Sequence, residues 1–312
     1  MKALLQKLKN FNGGLKLDSH KSQTNSVAIE TAPIPDRIIL PLHQHIGESA
    51  QPIVKIGDKV KKGQCIAKAM GTIRSPVHAS SSGTIQDIID HDVPHPSGMQ
   101  APCIIIATDG LDTLDPEIKP KDPAMDAATL REEIFHSGIV GLGGAGFPSH
   151  VKLNPGNHSI DTLIINGAEC EPYITCDEML MRENAKEIIA GISLMQKALS
   201  ARKCIIGIED NKPEAIKIMQ SAVEASDNTS IIISIVPTIY PAGGEKQLIK
   251  VITGKEVPSH GMPLDIDIIC HNVATAFTIY QAIYEGKPYT NRIVTVCGDD
   301  LDSPKNYHVA LG

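Results

Sequence analysis

From residue 162 onward the chain alternates short apolar runs with longer amphipathic ones, and this alternation constrains the fold more than any other feature. Thr162–Ile165, Lys203–Ile208 and Ser230–Val236 read as strands. Asp177 to about Leu199, Lys212–Ala225, Glu245 to about Thr253 and Val273–Glu285 read as helices, with Pro213 at a first-turn position that tolerates it. Strands separated by helices form a mainly parallel sheet covered on both faces. Ligands of such sheets bind beyond the carboxyl ends of the strands.

The 127–290 region opens on a helix, Ala127–His136, that stops at Gly138. Gly138-Ile-Val-Gly141-Leu-Gly143-Gly144-Ala-Gly146-Phe147-Pro148 follows, with Lys152 four residues on. Such glycines let backbone N–H groups approach a ligand, and a run of them with a nearby lysine suits phosphate oxygens. A flexible surface loop is the other reading. Gly141-x-Gly143-x-x-Gly146 formally matches the dinucleotide fingerprint, and Glu169 stands near the place of its ribose-binding acid. Only Ser149–Leu153 separates Pro148 from Asn154-Pro155-Gly156, however, which leaves about one helical turn. The expectation is a glycine cradle without a Rossmann helix.

Three further stretches share the setting of a strand end running into a helix start. They are Asn166-Gly-Ala-Glu169-Cys-Glu171-Pro-Tyr173, Tyr240-Pro-Ala-Gly243-Gly244-Glu245 and Cys270-His-Asn272-Val-Ala-Thr275. Asn166 can donate to and accept from a heterocycle edge, and the acids can accept from ribose or amide groups. Solvated turns and helix caps are the alternative for each.

The amino-terminal part differs. Residues 1–30 read as a loosely structured arm. Over 31–115, short runs at Arg37–Leu40, Pro52–Lys55, Cys65–Ala67, Gly83–Ile89 and Pro102–Ile106, broken by Gly and Pro, predict a small β-sandwich or barrel. Residues 116–126 read as a linker, and 291–312 as the start of a further β unit that the chain does not finish.

Composition excludes several classes. Aromatics are 3% with no Trp, and the net charge is -7, so neither a base-stacking platform nor a basic nucleic-acid footprint is present. The seven cysteines are dispersed with no C-x-x-C, which argues against a disulfide framework or a metal cluster. His91 and His95 are separated by Pro94 and flanked by Pro96, so no helical ligand pair forms and no metal is expected. No apolar run is long enough to span a bilayer, which predicts a soluble piece.

Val54–Ala67 and Ser75–Ile85 resemble the barrel-sandwich hybrid of lipoyl and biotinyl carriers, although Lys68 lacks the expected Met neighbour and attachment there is not expected. The four stretches together are similar to the flavin- and NADH-binding subunit of respiratory complex I. They are closer to the C subunit of the Rnf (Rsx) ion-motive electron-transport complexes. Phe11–Gly14, His20-Lys21, Ala168–Thr175, Gly207–Pro213 and Pro241–Leu248 carry that resemblance over nearly the whole chain.

The resemblance implies an α/β flavin-binding domain after a barrel-sandwich hybrid, and a β-grasp (SLBB) domain beginning near 291. It implies a non-covalent FMN held by Gly141, Gly143, Gly144, Gly146, Lys152, Asn166, Glu169, Tyr240, Gly243, Gly244, Glu245, Asn272 and Thr275. It implies NADH as substrate near Phe147 and Glu171, and a role as an NADH-dependent flavin oxidoreductase subunit. The implied partners are the other Rnf subunits and ferredoxin-like carriers, at the cytoplasmic face of the bacterial inner membrane. Two 4Fe–4S clusters belong to the full-length family pattern, and their cysteine motifs do not occur in this sequence. The chain departs from the complex I pattern at Leu142, Ala168 and Gly244. Alternatives are a cobalamin-reductase-type flavoprotein and a docking scaffold with a degenerate nucleotide pocket.

Overall fold

The computed structural model describes residues 13–312; residues 1–12, with Phe11 and Asn12 of the signature and much of the predicted arm, lie outside the described residues. The chain divides into two compact units. One comprises the segment through Glu30, Lys152–Tyr280 and Ile293–Tyr307; the other comprises Thr31–Val151, Gln281–Arg292 and His308–Gly312.

After β1 (Glu30–Thr31), the second unit contains β2 (Arg37–Pro41), β3 (Gln51–Pro52), β4 (Lys59–Val60), β5 (Cys65–Lys68), β6 (Val77–His78), β7 (Gly83–Asp92) and β8 (Gln100–Thr108). They form two sheets, ordered β2-β8-β7-β4 and β3-β5-β6. Period-two placement of Ile38, Leu40, Ile104 and Ile106 directs one face of the larger sheet inward, where they join Ile66, Ala67 and Ile85 in one core. Gly57 and Gly63, at φ 91° and 85°, make the turns that return the chain. The run expected at Pro52–Lys55 is a strand only over Gln51–Pro52. Val54 still packs against the core, while Ile53 is 54% exposed. Helix α1 (Ala127–His136) begins where the Asp126 carboxylate accepts from the Ala128 and Thr129 N–H groups, and stops at Gly138, φ 71°.

The turn of helix α2 (Ser149–Lys152) leads into the other unit, which contains β9 (Thr162–Gly167), α3 (Cys176–Glu183), α4 (Ala185–Leu199), β10 (Lys203–Glu209), α5 (Pro213–Glu224), β11 (Ile231–Val236), α6 (Glu245–Thr253) and β12 (Ile268–Asn272). Helix α7 (Val273–Tyr284) and the strands β13 (Asn291–Val296) and β14 (Lys305–Ala310) complete the chain. The four strands β11-β10-β9-β12 are all parallel, as the alternation predicts. Their Ile- and Leu-rich interiors are buried, with Leu163, Ile164, Ile165, Ile206 and Ile208 at 0% exposure. The single long helix expected over 177–199 is instead two. Asn184, at φ -130° and ψ 36°, leaves the helical region between α3 and α4, and asparagine resists that break weakly. Sheet order β1-β14-β13 gathers the remaining strands.

Candidate functional site

Parallel register aligns Asn272 with Asn166, and Asn166 with Gly207, so the carboxyl ends of β12, β9 and β10 form one edge. The stretches singled out by sequence at 166–173, 240–247 and 270–275 leave the sheet at this edge. Asn166 Nδ2 donates to the Gly243 carbonyl at 2.7 Å, and its Oδ1 accepts from the Ala168 N–H at 3.0 Å. Gly243 N–H donates in turn to Cys170 Sγ at 3.4 Å. The Asn272 side chain caps α7 through the Ala274 N–H at 2.8 Å and donates to Asp177 Oδ2 at 2.6 Å. Lys152 Nζ lies 2.6 Å from Glu245 Oε1, at the first residue of α6. The structure therefore brings Lys152, Asn166, Gly243, Gly244, Glu245 and Asn272 to one strand edge. Thr275 is fully buried in the first turn of α7, while Tyr240 and Glu171 are exposed. Buried beside the capping asparagine, His271 has no partner at Nε2 among the described residues, and burial drives its pKa well below the ordinary value.

Glu169, expected at a ribose, faces inward. It takes φ 54°, and its carboxylate accepts from the N–H groups of Asp177 at 2.8 Å and Glu178 at 3.3 Å, the open start of α3. Burial, and next the Asp177 carboxylate, push its pKa up to about 8. Lys21 Nζ stands 4.0 Å away; burial lowers its pKa, and the Glu169 carboxylate opposes that shift.

Two lysines that sequence reasoning does not assign complete this edge. Lys212, wholly buried, donates to the Ala168 carbonyl at 2.6 Å and to Glu209 Oε2 at 2.5 Å. Lys21 donates to the carbonyls of Glu169 and Glu171, each at 3.0 Å, and of Ile174. Both lie in stretches that carry the family resemblance, His20-Lys21 and Gly207–Pro213, but neither spacing nor composition signals a buried ammonium.

In the unit that holds it, the glycine stretch is a closed turn. Val140 pairs with Pro148, Gly141 N–H donates to the Phe147 carbonyl at 2.8 Å, and Ser149 N–H donates to that of Ile139 at 3.0 Å. Gly144 and Gly146 take φ 110° and 60°, and a Cβ on Gly144 would meet nothing within 4 Å. Residues 142–145 form a turn, with Gly143, Gly144 and Ala145 exposed. Ser149 Oγ is buried at the start of the single turn of α2 and has no partner there. An exposed glycine-rich turn suits an anion.

A parallel α/β unit with its polar groups at the carboxyl edge, in one chain with a two-sheet β module, defines the class. The family described as the Nuo51 FMN-binding domain matches residues 134–281, and the RnfC barrel-sandwich hybrid domain matches residues 9–111. The C subunit of the ion-translocating oxidoreductase complex of Pseudomonas aeruginosa is 43% identical over 97% of this chain and 39% of its own. That of Rhodobacter capsulatus is 44% identical over 99% of this chain and 60% of its own. This chain belongs to the RnfC family, the C subunits of the ion-translocating oxidoreductase complexes. It spans less than two thirds of the length of these curated relatives. A solved NAD+-reducing NiFe hydrogenase in its air-oxidized state aligns with a TM-score of 0.48 and 22% identity, over 59% of this chain and 36% of that one. Among the described residues, no helix is long and apolar enough to cross a membrane.

Proposed function

We propose that this chain is the FMN-holding part of an electron-transfer subunit in a membrane-bound, ion-translocating ferredoxin:NAD oxidoreductase. The observation that carries this reading is the gathering of Lys152, Asn166, Gly243–Glu245 and Asn272 at the carboxyl edge of a parallel sheet, inside the stretch that matches a flavin-binding family. When bound, FMN supplies the exchange between two-electron and one-electron chemistry. The residues present fit such a group. Lys152 brings a positive charge to the strand edge, Asn166 and Gly243 fix each other's backbone approach, and His271 keeps an unpartnered ring nitrogen beside them.

The turn Gly141–Gly146 is proposed separately, on its own backbone, as the element that receives phosphate oxygens. Tyr240, Gly244 and Thr275 are proposed contacts of the same cofactor. Phe147 is proposed to stack against NADH, and the exposed Glu171 to accept from its ribose or amide groups. Glu169, with its carboxylate turned onto α3, is proposed to act by shaping the backbone from Ala168 to Glu171. The electron partners are proposed to be ferredoxin-like carriers, with iron–sulfur centres and the other subunits outside this chain, at the cytoplasmic face of the inner membrane.

The test is anaerobic titration of the purified chain with FMN and then NADH, followed by flavin absorbance. Saturable binding and bleaching by NADH are expected. Lys152→Ala weakens FMN binding by about tenfold, the value of one charge-assisted hydrogen bond. Gly143→Val weakens it by blocking close approach. No flavin binding by the unaltered chain refutes the proposal. A docking scaffold is the second reading, favoured by one observation: both polar ends of Asn166 are satisfied within the protein. FMN binding without any NADH response supports it.

A further inference from the structure

A lysine ammonium has three N–H donors and no acceptor. Those of Lys21 find three backbone carbonyls, of Glu169, Glu171 and Ile174, all in the loop that leaves the end of β9. Lys21 is 5% exposed although it sits on a single 3-10 turn, Lys21–Gln23. Neighbours fasten the same two segments together. Tyr173 N–H donates to the Ser19 carbonyl at 2.8 Å, the rings of His20 and Tyr173 stack at 4.8 Å, and the hydroxyls of Thr24 and Thr175 meet at 2.7 Å. Lys212, from the start of α5, takes the carbonyl of Ala168 in the same loop.

The loop has reason to need such a frame. Glu169 and Tyr173 hold φ 54° and 69°, a region that costs a non-glycine residue about 1 kcal/mol or more apiece. Its carbonyls turn inward to the two ammonium groups, away from any sheet or helix partner. With the backbone so turned, the Glu171 side chain stands exposed while its carbonyl is tied to Lys21. An unsupported loop of this kind would sample many conformers, and only a fraction would present that carboxylate in one place.

We propose that Lys21 is a positioning residue for the nicotinamide nucleotide: from the amino-terminal segment it holds the Ala168–Ile174 loop in the one conformation that presents Glu171 to the substrate. This rests on the proposed NADH role of Glu171. Lys21 touches neither substrate nor cofactor; it sets the population of the competent loop. Apparent affinity falls in proportion to that population, so a loop ordered about one-tenth of the time raises KM about tenfold.

The experiment compares the full chain, FMN-loaded, with Lys21→Met and with the milder Lys21→Gln. Three quantities are read: hydrogen exchange of the amides in 168–175, FMN content, and KM and kcat for NADH oxidation. The expected result is loss of protection confined to that segment, unchanged FMN content, KM for NADH raised about tenfold and kcat changed by less than about twofold. Unchanged exchange in both variants overturns the frame whether or not NADH reacts. Faster exchange with unchanged KM overturns its tie to the nicotinamide. Loss of FMN together with KM and kcat in both variants overturns it too, because that is the signature of a structural lysine. A failure of the unaltered chain to oxidise NADH is a different result: it removes the proposed substrate, and with it this role for Lys21, while the exchange data still report the frame.

Discussion

Lys212 and Glu209 form an ion pair in which both side chains are wholly buried, with 2.5 Å between Nζ and Oε2. At an effective dielectric of about 20, two unit charges that close attract by roughly 6–7 kcal/mol. Desolvating two ions costs several kcal/mol each, so the pair as a whole contributes little net stability. Removing one partner is another matter. Lys212→Met strands the Glu209 carboxylate, whose Oε1 already lacks a partner among the described residues, and it orphans the Ala168 carbonyl. The expected cost is about 3–5 kcal/mol. Burial already raises the pKa of Glu209, with Lys212 opposing, so removal of the lysine drives the acid further toward its neutral form.

Glu209→Gln alone leaves the Lys212 ammonium with Ala168 and Asn211 as acceptors and costs about 2–3 kcal/mol, the value of a charged hydrogen bond. The double variant Lys212→Met/Glu209→Gln carries no stranded charge. It is expected to fall short of the summed single costs by at least about 2 kcal/mol. Native-state hydrogen exchange on peptides from β10 and α5 measures the opening free energy of this unit alone, which a two-unit chain requires. Additivity of the two substitutions within about 0.5 kcal/mol refutes the reasoning, because it means the groups do not hold each other.

Gly191 lies in α4 where an added Cβ would come 1.9 Å from the Ala276 carbonyl oxygen and 2.7 Å from its carbon. Gly191→Ala therefore forces α4 and α7 apart and destabilises by about 1–3 kcal/mol or more, despite alanine's better helix propensity, as thermal unfolding will report. Glu169 has its folded pKa raised from 4.5 to about 8 by burial and by Asp177, against the pull of Lys21 and Lys212, with Cys176 also facing it. A raised pKa means the folded state binds the proton more tightly, so its stabilising contribution is full below pH 4.5 and is lost as pH rises through about 8. Glu169→Gln keeps an acceptor for the Asp177 N–H and is expected to flatten the stability–pH curve over that window; an unaltered slope refutes the assignment. Asn272→Ala removes the cap on α7 and is expected to cost about 1 kcal/mol in the same unfolding measurement.

The architecture of the parallel unit is legible in the sequence because its strands are short runs rich in Ile and each helix has its own period. Those signals act within one element, so a linear reading detects them. The break at Asn184 leaves no such trace, because α3 and α4 both keep an apolar face and one backbone angle carries no pattern. Among candidate residues, Asn166, Gly243, Glu245 and Asn272 stand out because strand end, glycine and helix start coincide in sequence. Glu169 reads as a ligand-facing acid because it follows a strand. Its actual partners are the Cys176 thiol and the N–H groups of Asp177 and Glu178, seven to nine residues further on, and a left-handed turn at Glu169 itself is what aims it there.

Lys21 and Lys212 are hidden for a deeper reason. Lysine is the residue a sequence reading assigns to solvent, and nothing local distinguishes the buried one. Their acceptors lie 148 residues away for Lys21 with Glu169 and 44 for Lys212 with Ala168. The loop at this edge is lined by polar groups, so its conformation is not held by apolar packing alone. The alternative is to fix the backbone through its carbonyls, and only a group with several donors and no acceptor can take three at once. Lys21 takes three of the loop's carbonyls and Lys212 takes that of Ala168, while the Glu171 side chain stays exposed.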